Sequence, residues 1–271
     1  MKYLLSVIAI LWGINVYAQL SPAPQGLDNY KCIDTTRFEI HYSFKFKNHS
    51  SQKQYNEDRR VIQVGRSVIK DYSEIIYHYD SLATENFKKG LSTSNNPNIT
   101  YPCEIYSYPL EKRRHEKYRM ILNAGVLCYP SMWEDLNWTY SLDETMVLYN
   151  YTCNKATTKY AGREYTAWYT LDVPISYGPY KFFGLPGLII KIEESTGMYI
   201  WEMYSLSVSA TPIHIYQYEK EQKCTEECSS YNSQNDDNTN DISKFSWIKS
   251  VGQTKRRFFW FSCKRRKGNA L

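Results

Sequence analysis

The sequence predicts a mainly β protein of the α+β kind. It should form a single strongly curved antiparallel sheet, a half-barrel, with one helix packed against it. Three observations carry that expectation. Short stretches of alternating apolar and polar residues recur at regular spacing through most of the chain. Only one early stretch has helical periodicity, which argues against repeated βαβ units. Tyrosine supplies 26 of the 271 residues, and its ring and hydroxyl suit strands with one dry and one wet side.

Residues 1–18 read as a signal peptide. Lys2 gives the positive start, residues 4–16 are apolar apart from Ser6, Gly13 and Asn15, and Val16-Tyr17-Ala18 fits a small-residue cleavage site. The chain is therefore expected to be exported, periplasmic or secreted, after cleavage near Ala18. The stretch is too short for a confident membrane span and no comparable run follows, so no transmembrane span is expected. Residues 19–36 contain Pro and Ser without periodicity and read as an N-terminal linker, with a single β-rich domain over 37–271.

Within that domain, Phe38, Ile40, Tyr42, Phe44 and Phe46 alternate with polar residues, the clearest half-buried strand in the chain. Residues 48–58 form a turn and 60–65 a short strand. Ser67 is placed to cap a helix running to about Leu82, with Val68, Tyr72, Ile75, Ile76 and Tyr79 on one stripe and His78 off it, in solvent. A Ser/Asn/Pro-rich loop spans 88–100. Strands are then expected at 103–108, 118–122, 125–129, 136–141, 146–151, 160–171, 188–193, 199–209 and 213–218. Residues 219–241, rich in Ser, Asn, Asp and Gln, read as a disordered insertion. Final strands are expected at 245–248 and 258–261.

The formal charge is +5, unevenly spread. Beyond Asp241 there is no acidic residue but nine basic ones: Lys244, Lys249, Lys255, Arg256, Arg257, Lys264, Arg265, Arg266 and Lys267. The rest of the chain is net acidic, a statement about surfaces and partners. Phe258-Phe-Trp-Phe261 sits between two of the basic runs. In an exported protein that pattern suits anionic lipid better than nucleic acid, or a terminal strand with charged gatekeepers. Seven cysteines (32, 103, 128, 153, 224, 228, 263) read first as disulfides in that compartment, and an odd count leaves one over. Cys153, Cys224 and Cys228 are the candidate disulfide residues.

The stretch 178–192, Gly-Pro-Tyr-Lys-Phe-Phe-Gly-Leu-Pro-Gly-Leu-Ile-Ile-Lys-Ile, organises the rest. Gly184 and Gly187 bracket Leu185-Pro186, so the chain turns where side chains are unwelcome and one φ is fixed. Leu188-Ile189-Ile190 then begins a strand too apolar to have one face in water. Gly184-Leu-Pro-Gly-Leu-Ile189 spells the name motif of the GLPGLI family of secreted proteins, known mainly from Bacteroidota, which this chain resembles. The resemblance extends to Gly162-Arg-Glu-Tyr-Thr-Ala-Trp-Tyr-Thr170 with Val173-Pro-Ile175, to Asn150-Tyr-Thr-Cys-Asn-Lys-Ala156, and to Gln63-Val-Gly-Arg-Ser67. It departs at Asn150, where glycine is usual, which suggests a relaxed turn, and at the C-terminal residues. The family carries no assigned activity. The order of strand, short strand, helix and many strands also resembles the half-barrel of periplasmic lipoprotein carriers, which implies an apolar trough.

No nucleophile elbow, metal-ligand pair or motif histidine marks a catalytic or metal site, and no cofactor is implied. Glu134-Asp135 and Glu193-Glu194 are carboxylate pairs by adjacency alone. The expected function is a non-catalytic binding protein of the cell envelope for a hydrophobic or lipid-like ligand. The alternatives are a hydrolase acting on an envelope or host-derived substrate, and a structural partner of an outer-membrane protein. Gly178, Pro179, Gly184, Leu185, Pro186, Gly187, Leu188 and Ile189 would shape one wall of the trough. Arg163 and Trp168, on opposite faces of one strand, complete the candidate residues.

Overall fold

A computed structural model describes residues 21–121 and 123–223. The expected signal peptide, Cys224, Cys228, Cys263, most of the expected insertion, the strands at 245–248 and 258–261 and the basic tail lie outside the described residues.

The strands in chain order are β1 (Tyr30–Thr35), β2 (Phe38–Phe46), β3 (Asn56–Val64), β4 (Ile69–Ser73), β5 (Cys103–Tyr108), β6 (Arg113–Arg119) and β7 (Val126–Ser131). Then come β8 (Thr139–Leu148), β9 (Tyr151–Tyr160), β10 (Arg163–Thr170), β11 (Leu188–Glu194), β12 (Tyr199–Val208), β13 (Pro212–Tyr216) and β14 (Glu221–Lys223). One helix, α1 (Glu74–Lys88), separates β4 from β5. Twelve strands form one sheet in the order β14-β7-β6-β5-β4-β3-β2-β12-β11-β10-β9-β8, and β1 pairs with β13 in a separate ribbon. Every pairing is antiparallel except that of β14 with β7.

Among the described residues the fold is thus mainly β with one α-helix, as expected. The half-barrel is not: among those residues the sheet ends at β8 and β14, and it is neither closed nor strongly curled. Loops and the ribbon cover it instead. Register sorts its middle strands into two buried faces. One carries Ile40, Tyr42 and Phe44 of β2, Arg60 and Ile62 of β3, Asp71 of β4, Ile105 of β5 and Glu116 of β6. The connection 171–187 packs over this face. The other carries Lys70, Glu104, Tyr106, Lys117 and Arg119, and is covered by α1 and the β1–β13 ribbon.

Several elements differ from expectation for identifiable reasons. Residues 30–35, expected as linker, form β1 because a partner arrives from 212–216. The helix starts at Glu74, not after Ser67. Ser67 instead donates from both its amide and its hydroxyl to Asp34 Oδ2, at 2.7 and 3.0 Å, while Ser73 is the N-cap and accepts from the Ile76 amide at 3.2 Å. The buried positions of α1 are Asp80, Ala83 and Thr84, so no apolar stripe announces it, although His78 is exposed as expected. Glu221–Lys223, expected within the insertion, form β14, and the insertion's remaining residues from 224 on lie outside the described residues. Strand β6, Arg-Arg-His-Glu-Lys-Tyr-Arg, is largely buried despite its charge. β8 and β9 form one long hairpin closed by Tyr149 and Asn150 at φ 49° and 66°. That two-residue left-handed turn is tight, not relaxed, and asparagine tolerates it well.

Candidate functional site

Alternation in β4, β5 and β6 aims Lys70, Glu104, Tyr106, Lys117 and Arg119 into the layer beneath α1 and the ribbon. Glu104 is the hub. Its carboxylate accepts from Tyr106 Oη at 2.8 Å, from Arg119 Nη2 at 3.1 Å and from Tyr218 Oη. Arg119 also donates from Nη1 to Asp80 Oδ1 of α1 at 2.7 Å, which anchors the helix to the sheet. Lys117 bonds the Tyr216 carbonyl and Glu221. Burial alone would raise the pKa of Glu104, yet Lys70, Arg119 and the two tyrosyl hydroxyls bring it down to about 2.

Lys70 is the unusual member. It is 3 % exposed, its Nζ donates to the His214 carbonyl at 2.9 Å, and it lies 4.8, 5.5 and 4.6 Å from the ring centroids of Tyr72, Tyr106 and Tyr216. Burial pulls its pKa down to about 8; Glu104 opposes that, while Arg119 and Lys117 reinforce it. A small cleft between α1, β4, β5 and β13 reaches this lysine. It is lined by Lys70, Tyr72, Tyr77, Glu104, Arg119 and Tyr216 and has room for about one water molecule. Of its lining, Tyr77 is 38 % exposed; Tyr30, 55 % exposed, stands beside the cleft, its ring 6.2 Å from that of Tyr216 and 4.3 Å from that of His214.

A second buried network holds the Gly-Pro-Tyr-Lys turn to the opposite face. Arg60 donates to Asp71 Oδ1 at 2.8 Å, to Asp58 Oδ2 at 3.3 Å and to the carbonyls of Tyr101 and Cys103. Burial disfavours its charge, but Asp71 and Asp58 keep its pKa above the usual value. Asp71 Oδ2 accepts the Tyr180 amide at 2.7 Å, and Lys181 pairs with Glu116 at 2.7 Å. Tyr180 has φ 60°, a conformation costly for a residue with a bulky side chain.

The motif residues gather in this loop and in the core beneath it. A Cβ on Gly178 would lie 2.7 Å from Ile189 Cδ1, and one on Gly187 would lie 1.9 Å from the Thr170 carbonyl oxygen. Gly184 has φ +91°, so it needs glycine for conformation while Gly187 needs it for close approach. Pro179 is buried and Pro186 exposed. Leu185, Leu188 and Ile189 are no more than 1 % exposed, so the loop forms core and not the wall of an open trough. Arg163 and Trp168 do not join it as a surface. Arg163 lies 3.4 Å from Glu194 and over the Tyr199 ring, and Trp168 is packed in the main core.

Cys153, a candidate for a disulfide, is a free buried thiol, as are Cys103 and Cys128; Cys32 is free and exposed. Among the described residues no group of three or more His, Cys, Asp and Glu is placed to hold a metal ion, and no helix is long and apolar enough to cross a membrane. Glu134 and Asp135 are exposed on a loop. Glu194 is occupied by the Thr196 and Met198 amides of its own turn. Sequence reasoning missed Lys70, Glu104, Arg119 and Asp80; the available signal was charge at alternating positions inside strands with apolar neighbours.

A family model described as a protein of unknown function (Porph_ging) matches residues 158–191, a window from the end of β9 to the middle of β11 that includes Arg163, Trp168 and the whole loop. No curated protein matches the chain. Among solved structures, PNGF-II in its P21 space group is similar with TM-score 0.46 at 14% identity, covering 72% of this chain and 32% of that one. PNGF-II in its C2 space group is similar with TM-score 0.47 at 14% identity, over 73% of this chain and 32% of that one. The chain thus spans about a third of the length of the structures that it resembles.

Proposed function

We propose that this chain is a non-catalytic binding protein of the GLPGLI type, exported to the cell envelope, and that it takes a neutral hydrophobic or lipid-like ligand at the tyrosine-rimmed cleft. The observation that carries this reading is the exposure of Tyr77 at the cleft, and of Tyr30 next to its Tyr216 wall, beside a floor whose charges are mutually satisfied. Lys70, Lys117 and Arg119 stand against Glu104, Asp80 and Glu221. Such a floor offers no uncompensated charge to an ionic ligand, while the rings offer apolar area. Glu104, held near the bottom of the carboxylate range by these partners, stays ionised around neutrality and does not act as a general acid there. A ligand larger than water would enter by an outward shift of α1, whose anchor on this face is the Asp80–Arg119 pair.

Titration with the neutral probe N-phenyl-1-naphthylamine tests this. Saturable fluorescence enhancement is expected, weakened about tenfold by Tyr30→Ala with Tyr77→Ala, the loss of one or two aromatic contacts. Leu185→Ala should leave the probe affinity unchanged while lowering stability by about 2–5 kcal/mol, as for a buried large-to-small change. Absence of saturable uptake, or uptake lost with Leu185→Ala and retained in the tyrosine variant, would sink this reading.

A further inference from the structure

Strand β8 is an edge of the large sheet: among the described residues it pairs with β9 and with nothing on its other side. It is ten residues long, whereas the opposite edge, β14, has three. A long free edge is a standing invitation to another strand. The surface of β8 says which kind. Val147 is 70 % and Met146 40 % exposed. Being consecutive, they point to opposite sheet faces, so apolar surface flanks the edge on both sides. Tyr140 and Tyr149 are exposed nearby. The stretch 131–150 carries Glu134, Asp135, Asp143 and Glu144 and no lysine or arginine. Lys155 of β9 and Lys112 answer Glu144 and Asp135, whereas no salt bridge is formed by Asp143 or Glu134 among the described residues. A register shift between Ser141 and Thr145 puts Asp143 and Glu144 on a bulge beside the apolar half of the strand.

The complement of that surface is in this chain. Residues 254–267 read Thr-Lys-Arg-Arg-Phe-Phe-Trp-Phe-Ser-Cys-Lys-Arg-Arg-Lys, with seven cations and no acid around four consecutive aromatics. In an extended strand those aromatics alternate between the two faces, as Met146 and Val147 do. The competing edge is too short: β14 has three residues, and its Glu221 is already held by Lys117. Reach is not limiting. Twelve strands spaced about 4.8 Å apart span roughly 50 Å, and the residues between Lys223 and Lys255, at about 3.3 Å each, extend to roughly twice that.

We propose that residues 254–267 dock as an added strand on the free edge of β8 in the same molecule, with Phe258–Phe261 over Met146 and Val147 and the flanking cations against Asp143 and its acidic neighbours. Docking would give the sheet a thirteenth strand and take an aggregation-prone edge out of solvent.

Amide exchange over residues 139–150 tests the proposal, measured in lipid-free buffer on the full chain and on a chain ending at Thr254. The full chain should exchange about tenfold more slowly at the outward amides, and Val147→Lys in the full chain should abolish the difference. Carbodiimide coupling should join Asp143 or Glu144 to Lys255, Lys264 or Lys267, within single molecules in a mixture of isotopically heavy and light protein. Equal exchange in the two chains overturns the proposal. So do heavy-to-light links alone, which would make the occupant a second copy, and protection that appears only when anionic vesicles are added, which would make the counterpart a membrane.

Discussion

Gly187 shows why a glycine can be indispensable without an unusual φ. Its backbone lies outside the left-handed region, yet a Cβ there would meet the Thr170 carbonyl oxygen at 1.9 Å and its carbon at 2.8 Å. Both are backbone atoms at the end of β10, so neither can rotate away as a side chain would. Thr170 pairs with Leu188, and a forced retreat would open the ladder at the point where β11 begins. Gly187→Ala is therefore expected to lower stability by about 1–3 kcal/mol or more, the range for overpacking a site that cannot relax. Gly184→Ala acts differently: little lies near its Cβ, so its cost is that of a left-handed residue, about 1–2 kcal/mol. Urea midpoints of the two variants check this order, and a Gly187→Ala midpoint equal to wild type would remove the close-approach argument. Tyr180 supplies the counterpart: a non-glycine at φ 60°, held there because its amide reaches Asp71 at 2.7 Å.

Ser73 joins two elements and two networks. Its Oγ accepts the Ile76 amide as N-cap of α1 and donates to Asp58 Oδ1 at 2.6 Å in the buried Arg60 cluster. Cap loss alone costs about 0.5–2 kcal/mol, and stranding one acceptor of a buried carboxylate adds about 1–3 kcal/mol. Ser73→Ala should therefore cost more than Ser73→Ala measured in an Asp58→Asn background, a difference that a double-mutant cycle reads directly. If the two costs are equal, the shared-hydroxyl argument is wrong. The same region shows what sequence can and cannot say about elements. β2 and β5 were legible to the residue, because apolar side chains alternate there against few competing signals. The start of α1 was not: Ser67 reads locally as a cap, but the residues after it form β4, paired with β3 and β5, which leaves the cap to Ser73. β6 was illegible for a deeper reason. Its arginines, lysine and glutamate look like surface, and only partners distant in sequence, such as Asp80, Glu221 and Lys181, make their burial tolerable. The loop motif was legible as a unit, but its burial was not, since local turn chemistry does not reveal what packs on top.

At the scale of the whole molecule, two ion networks sit on the two faces of one sheet, and their titration makes stability depend on pH in an ordered way. Glu104, depressed to about 2, contributes stability that is complete above the unfolded value near 4.3 and is lost as pH falls through about 2. Asp58 and Asp80, raised by burial despite their arginines, act in the opposite sense, their contribution being lost as pH rises through their folded values. On the alkaline side the buried thiols act first, ahead of the buried tyrosines, whose ordinary value is higher. Burial raises Cys153 to about 11, Cys128 to about 12 and Cys103 well above its ordinary value. The unfolded chain then loses these protons first, and stability should fall above about pH 8.5. Lys70 runs against that trend. With its folded value near 8 and an unfolded value near 10.4, the unfolded chain binds more protons between the two, so this residue's contribution to stability rises across that window. The groups that set it are Glu104 of β5, Lys117 and Arg119 of β6 and Asp80 of α1. Subtracting two proteins isolates it, because the thiols and tyrosines are common to both. Lys70→Met removes a buried ammonium whose desolvation outweighs its partners, so its stability relative to wild type should be greatest at or below pH 8 and should decline steadily toward pH 10. Urea unfolding of both proteins at half-unit steps from pH 7 to 10 measures that difference. A difference that stays flat over the range would mean that Lys70 titrates as an ordinary lysine, and that its burial has no hold on its charge.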